Sequence, residues 1–564
     1  MLTPLGIAFI VALAASTVVA LTLTPVLCSY LLGTAKEDKA LSKEPRMTRA
    51  MKRGYRRALQ WCLAHPKPLL WGTGSMFAVA VALFFTLGRG FLPGFNEGSL
   101  TINVSTLPGI SLAESDSVGR LAERIILSTP EINTVARKTG RAELDEHSLG
   151  VNVSEIEAPY TLNGSRSRRE MVAELRHKLS LIPGANIEIG QPISHRLDAM
   201  LSGTEAQIAI KLFGTDLNLL HSTGREIGAV IKSVPGVVDV NIEQQTERPQ
   251  IAITPRREML VRYGIPMNRF AELIDVALAG KAVSQVFDEG FPQNLTVKYD
   301  LPEDLSPESL ADLPVDAAEG KVALGQIAEI RSVTGPNTVN RENANRRLVI
   351  SANVDGRDLR STVNEISQRV AQEVKLPQGY SLQYSGQFES EAAASRTLAL
   401  TSLLALLVIS LLLYGEFRSV KESLVILINM PLAMIGGVLI LVLTHSELNI
   451  PAIIGFISLL GIATRNGMLL MSRYNHLQVE NVALRERIMQ GSADRLLPII
   501  MTALTSALAL IPLALRGTEP GNEIQSPMAV VILGGLVSST VLNIFVVPIL
   551  YDYISRGEKK HNDK

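Results

Sequence analysis

The sequence predicts a polytopic α-helical membrane protein whose seven transmembrane helices carry one large α+β domain built of repeated β-α-β (ferredoxin-like) subdomains. Three observations predict it: seven apolar runs long enough to cross a bilayer, basic residues sorted to alternate sides of those runs, and a polar stretch in which one strand-helix-strand pattern recurs. The composition agrees, because 564 residues at a mean hydropathy of +0.22 with 19% charged residues are too polar for a pure membrane bundle and too apolar for a soluble protein.

The runs are Ile7 to Leu32, Leu69 to Leu87, Leu398 to Tyr414, Leu424 to Leu443, Ile450 to Ser472, Leu497 to Leu515 and Met528 to Tyr551. Each meets the length a bilayer demands. Pro25, Pro431, Pro512 and Pro548, and the pairs Gly436-Gly437 and Gly534-Gly535, would be costly in soluble helices. Packed membrane helices tolerate them, and small residues let such helices approach closely.

Orientation follows from lysine and arginine. The linker from Gly33 to Pro68 holds ten of them against three acids, which assigns it to the cytoplasm. Arg418 and Lys421, then Arg473, Arg485, Arg487 and Arg495, then Arg556, Lys559 and Lys560 fall on the same side, while the opposite loops, 445–449 and 516–526, hold one arginine between them. Residues 89–396 therefore lie outside the cytoplasm, and with seven spans so does Met1. The first run lacks the basic leader and small-residue cleavage site of a secretory signal. An upstream partner is expected, and the chain reads as a carboxy-terminal fragment.

The extramembrane stretch contains three clear copies of strand, helix, breaker, strand: Ser99 to Ser105 with Leu112 to Ser128, Gln207 to Phe213 with Leu217 to Ser233, and Arg347 to Val354 with Leu359 to Val374. A weaker fourth runs through Val153 to Pro159 and Arg169 to Leu181. Such units place helices on one face of a sheet. Residues from Glu247 to Ala344 break the rhythm and read as an insertion.

Several function classes are excluded. The formal net charge of zero offers no field for nucleic acid. Cys28 and Cys62 have no disulfide or zinc spacing. There is no phosphate-binding glycine loop, no Gly-x-Ser-x-Gly elbow and no His-Glu-x-x-His, so neither an enzyme nor an ATP-driven pump is expected.

Local strings carry a family resemblance: "ALTLTPVLC" at Ala20 to Cys28, "GFLPGFNEGSL" at Gly90 to Leu100, "GIATRNGMLL" at Gly461 to Leu470 and "RLLPIIMTALTSALALIPLAL" at Arg495 to Leu515. In this order the chain resembles the inner-membrane permeases of resistance-nodulation-division (RND) efflux pumps, an AcrB/AcrD/AcrF-like superfamily, over essentially its whole length. The resemblance implies this division: 1–33 as family helix six, 34–68 a basic cytoplasmic linker, 69–88 helix seven, 89–205 a periplasmic porter subdomain, 206–246 with 345–396 a second, 247–344 an inserted docking-like subdomain, 397–553 helices eight to twelve, and 554–564 a cytoplasmic tail. "RKTGRAELDEHSLGVNVSEIE" at Arg137 to Glu157 and "QPISHRLDAMLSGTEAQIAIKLFG" at Gln191 to Gly214 resemble the heavy-metal efflux branch.

Within that branch, Asp145, Glu146, His147, Glu155, Glu157 and Asp198 supply carboxylate and imidazole, a ligand set that suits zinc, cobalt or nickel. On a strand, Glu155 and Glu157 face the same way, as two ligands of one ion should, and as two members of a solvated face also do. The methionine trio of copper and silver members falls here at Val153, Ala199 and Ile265, with Met200 one residue from an expected place, so thioether coordination of Cu(I) or Ag(I) is not expected. Arg465 and Asn466 lie mid-span, where an ionisable residue is costly and marks function. They match the family's helix-ten relay position, which faces proton-carrying carboxylates on an upstream helix; the other reading is an arginine that snorkels or pairs with backbone carbonyls. Thr502 and Arg495 match a helix-eleven threonine and a cytoplasmic-entry arginine, and equally fit a threonine bonding its own helix and a positive-inside arginine.

The resemblance implies a proton-driven antiporter of the bacterial inner membrane that exports heavy-metal cations without a cofactor. It also implies a homotrimer joined by a periplasmic adaptor to an outer-membrane channel, completed by the amino-terminal half that supplies the carboxylates. A multidrug permease of the same fold, a Sec-type protein-translocation accessory and a non-transporting assembly subunit are the alternatives. The 5% aromatic content speaks against the first and the seven spans against the second.

Overall fold

The computed structural model describes residues 2–32, 45–140, 150–162, 164, 166–202, 206–243, 247–288, 290–301, 306–336, 339–517, 519 and 521–562. The first apolar run forms two helices, α1 (Leu2–Leu21) and α2 (Leu23–Leu32). The break has a local cause, since Pro25 has no N–H for the Leu21 carbonyl and its ring crowds that oxygen. Helix α3 (Arg46–Ala64) buries a stripe of Thr48, Tyr55, Leu59 and Cys62, and these steps of seven, four and three residues keep one face of the helix inward and turn the arginines to other faces. Pro66 then opens α4 (Pro66–Thr86), at a position where the absent N–H costs nothing.

The extramembrane region begins with β1 (Ser99–Thr106), α5 (Leu112–Leu127), β2 (Ala136–Thr139), β3 (Val153–Pro159), α6 (Arg168–Leu179) and β4 (Ala185–Gly190). The strands form an antiparallel sheet in the order β2-β3-β1-β4. Alternation along β1 sends Leu100, Ile102 and Val104 into a core with Ile126, Ile156 and Leu175. Ser111 caps α5, and Ser167 with Glu170 forms a capping box on α6. The weaker fourth copy is thus fully formed, and it shares this sheet with the first.

After α7 (Pro192–Ser202), a second unit starts with β5 (Ile208–Phe213), α8 (Leu217–Lys232) and β6 (Val237–Ile242). Here the chain leaves on β7 (Glu247–Pro255) and passes through α9 (Arg257–Arg262), α10 (Met267–Leu278), the exposed hairpin β8 (Lys281–Asp288) and β9 (Phe291–Val297), α11 (Pro307–Ala311), β10 (Pro314–Ala317), β11 (Gly320–Ala323) and α12 (Leu324–Ile327). It returns on β12 (Ala328–Pro336), paired with β7. This excursion has its own core of Leu260, Ile265, Phe270, Leu324 and Ile327. The second unit resumes with β13 (Arg341–Glu342), β14 (Asn345–Val354), α13 (Leu359–Glu373) and β15 (Ser381–Gly386). Its main strands run β6-β14-β5-β15. In both sheets the order is second, third, first, fourth, so the four strand-helix-strand segments pair two by two.

Helix α14 (Gln387–Phe417) leaves β15 directly, and α15 (Val420–Leu443), α16 (Ile450–Val479), α17 (Leu484–Leu515) and α18 (Gln525–Asn562) complete the bundle. Among the described residues, seven helices are long and apolar enough to cross a membrane. α15 and α18 touch backbone to backbone, since a Cβ on Gly436 would collide with the Gly534 carbonyl oxygen. Two strips join bundle and sheets: Leu448 N–H donates to Gly88 O (2.8 Å) and Ile450 N–H to Phe91 O (3.2 Å). At the far end of the bundle, Tyr55 and Leu59 of α3 pack with Leu413, Val425, Tyr474, Ile488 and Tyr551, from the ends of α14 to α18. Those ends carry the basic residues that assign the cytoplasmic side.

A candidate cation site in the cleft between the two sheets

A cleft of about 620 Å³ separates the two sheets where they meet the bundle; Gly90 to Phe95, Arg176, His195, Asp198, Asn353, Gln387 and Glu447 are among its walls. Helix α7 crosses this cleft and is fixed from its N-terminus. The Glu97 carboxylate accepts from Ile193 N–H (2.6 Å) and Ser194 N–H (3.0 Å), an anion where the helix leaves N–H groups unpaired. Gln191 locks the same corner, accepting from Glu97 N–H (3.1 Å) and donating to Phe95 O (2.8 Å).

Three residues apart on α7, His195 and Asp198 share one face of the helix. Asp198 is 4% exposed and accepts a hydrogen bond from Gln387 Nε2 (2.7 Å). Burial disfavours its charge and pushes its carboxyl up to about 7. His195 is 6% exposed, and burial holds its imidazole down to about 4 against the opposing pull of the Glu155 and Asp239 carboxylates. The ring lies so close to Gly190 that any side chain there would collide with it. Near neutral pH the cleft therefore offers a neutral imidazole and a carboxyl close to its titration point. The arginines of the wall are largely committed: Arg176 to Asp239 (2.7 Å), Arg169 to Asp355 (3.1 Å) and Arg357 to Glu365 (2.8 Å). Glu447 is exposed as a residue, yet its carboxyl is also pushed up, first by partial desolvation and then by the nearby Asp358 charge.

Of the described metal-ligand candidates singled out from sequence, Asp198 alone lines the cleft. Glu155 and Glu157 do face the same way on β3, opposite Asn103 and Thr101 of β1. Glu155 pairs with Lys138 (2.9 Å) and Glu157 is exposed. Asp145, Glu146 and His147 lie outside the described residues. Among the described residues no three His, Cys, Asp or Glu side chains gather into a metal-binding group. His195 escaped sequence reasoning, although its spacing from Asp198 in "SHRLDAM" was a usable signal. Of the methionine positions, Ile265 is buried in the core of the excursion and Met200 is exposed. Among the described residues no methionine or cysteine lines the cleft.

In the bundle the relay candidates separate. Arg465 is exposed on the surface of α16, whereas Asn466 is 1% exposed and points inward. Two further asparagines that sequence reasoning passed over are also buried in the bundle: Asn429 on α15, whose Nδ2 donates to Ala463 O of α16 (2.9 Å), and Asn543 on α18. Thr502 donates to Ile499 O of its own helix (3.0 Å), and Arg495 is half-buried on α17.

The model of the AcrB/AcrD/AcrF family matches residues 1–555. The chain belongs to that family. It is 33% identical over 571 residues to the nickel-cobalt-cadmium resistance protein NccA of Alcaligenes xylosoxydans xylosoxydans, a match covering 99% of this chain and 53% of that protein. It is 32% identical to the cobalt-zinc-cadmium resistance protein CzcA of Cupriavidus metallidurans, covering 100% of this chain and 54% of the relative. A crystal structure of a heavy metal efflux pump superposes with a TM-score of 0.79 at 28% identity, covering 91% of this chain and 52% of that one. The chain spans about half the length of the relatives it matches. It is a multi-pass membrane protein of a transporter family, with a large α+β domain.

Proposed function

We propose that this chain is part of a proton-driven efflux pump that exports divalent heavy-metal cations from the bacterial inner membrane, and that the cleft between its two sheets receives the cation. The observation that carries this reading is the donor set: a buried carboxylate and a buried imidazole on one helix face, with no sulfur among the described lining residues. Oxygen and nitrogen suit zinc, cobalt or nickel, while Cu(I) and Ag(I) favour thiolate and thioether. The names of the relatives agree, since they describe resistance to nickel, cobalt, zinc and cadmium. The low aromatic content keeps the multidrug reading second.

Seven helices span the membrane in this reading, and the two sheets form ferredoxin-like porter subdomains that change the cleft between them. Arg465 faces outward to carboxylates supplied by the part of the relatives' length that this chain does not span, and their protonation drives the cycle. Arg495 and Thr502 serve proton entry on α17. Glu155, Glu157, Asp145, Glu146 and His147 serve in this reading as further carboxylate and imidazole ligands for the cation in transit. The pump assembles as a trimer with a periplasmic adaptor and an outer-membrane channel. Titration of the purified chain with zinc, cobalt and nickel tests the cation reading: saturable binding that is lost in Asp198→Ala supports it, and binding of Cu(I) alone sinks it.

A further inference from the structure

We propose that the outer face of α3 is a binding site for the headgroup of an anionic phospholipid in the cytoplasmic leaflet. This helix contains Arg46, Arg49, Lys52, Arg53, Arg56 and Arg57 and no acidic residue. Five of these cations and Gln60 surround a groove of about 370 Å³ whose single acid among the described residues is Asp494. Asp494 already accepts from Arg473 (2.9 Å), so among the described residues the groove holds more positive than negative charge. Like charges packed this closely repel one another, and a phosphate relieves that repulsion while accepting several guanidinium hydrogen bonds.

Two further observations select a lipid over a soluble anion. The buried stripe of α3 packs against the ends of α14 to α18, while Pro66 turns the chain straight into the apolar α4, so the cations lie at the level where a span begins. The only two tryptophans of the chain flank that joint, Trp61 59% exposed and Trp71 80% exposed. Exposed tryptophans on both sides of the joint between a basic helix and an apolar span are a signature of headgroup depth. Basic clusters just inside a span attract acidic lipid electrostatically.

The same tryptophans report on the site. The full chain carrying Trp71→Phe is placed in nanodiscs of phosphatidylcholine, with acyl-brominated phosphatidylglycerol or acyl-brominated phosphatidylcholine added at equal mole fraction, and quenching of Trp61 is read. The expected result is several-fold stronger quenching by the anionic lipid. That preference disappears in the triple variant Arg53→Gln, Arg56→Gln, Arg57→Gln, whose exposed side chains leave the melting temperature unchanged, and returns with lysine at the three positions. Equal quenching by both lipids overturns the proposal. So does loss of the preference on adding millimolar inorganic phosphate at constant ionic strength, which assigns the groove to a soluble anion.

Discussion

Asp198 carries the sharpest residue-scale expectations because its carboxyl titrates near 7. A cation needs the carboxylate, so it competes with one proton below that value. Affinity should fall by about tenfold per pH unit below 7 and level off above it, which calorimetry at pH 6 and pH 8 would read. Without metal the sign reverses. A raised carboxyl pKa costs the folded protein nothing below the ordinary 3.8, and a growing penalty as pH rises from there through about 7. Asp198→Asn should therefore melt above the parent at pH 8, with the difference narrowing as pH falls toward 4; a constant offset contradicts the burial account. Sequence could propose Asp198 because carboxylate is a ligand type, but its partner Gln387 is 189 positions away. Nor could sequence separate Glu155, tied to Lys138, from Asp198 in the cleft, since which acid enters a cavity depends on how two sheets sit across a helix.

At the scale of elements, the bundle rests on close backbone contact and the junction with the sheets on buried polar links. Gly436→Ala places a methyl group against the Gly534 carbonyl and should destabilise the chain by about 1–3 kcal/mol, as overpacking does. Thermal melting in detergent would measure it, with Gly461→Ala, which has open space, as the neutral control. Glu391, buried at the foot of α14, pairs with Arg360 of α13 (2.7 Å) and accepts from Ser395 Oγ (2.7 Å). Glu391→Ala should cost about 2 kcal/mol as a charged hydrogen-bonded pair is lost; an unchanged melting temperature would remove that link from the account. The spans were legible because a bilayer imposes length and apolarity on each run separately, and Gly436-Gly437 stood out for the same reason. Strand-helix-strand segments were legible through alternation and breakers. Their pairing into two sheets was not, because the partners are joined across long connections, in one case across the whole excursion from Glu247. Helix α7 carried too little apolar periodicity to stand out, and it depends on Glu97 for its start.

Over the whole molecule, one end of the bundle is basic and covered by α3, while the other is pinned to the sheets by the strips at Gly88 and Leu448. Arg465 stands exposed on the flank of this bundle. Arg465→Ala should therefore leave the stability of the isolated chain within about 0.5 kcal/mol, as for an ordinary surface position, while abolishing transport in an assembled pump. A large loss of stability in the isolated chain would make Arg465 a packing residue. The central claim, that the cleft receives a divalent cation through oxygen and nitrogen, is tested most directly by anomalous diffraction from crystals soaked in cobalt or zinc. The account predicts a peak within coordination distance of the Asp198 carboxylate, about 2.0–2.2 Å, that disappears in Asp198→Asn. A cleft that stays empty while metal collects elsewhere, or a peak that survives the substitution, would contradict it.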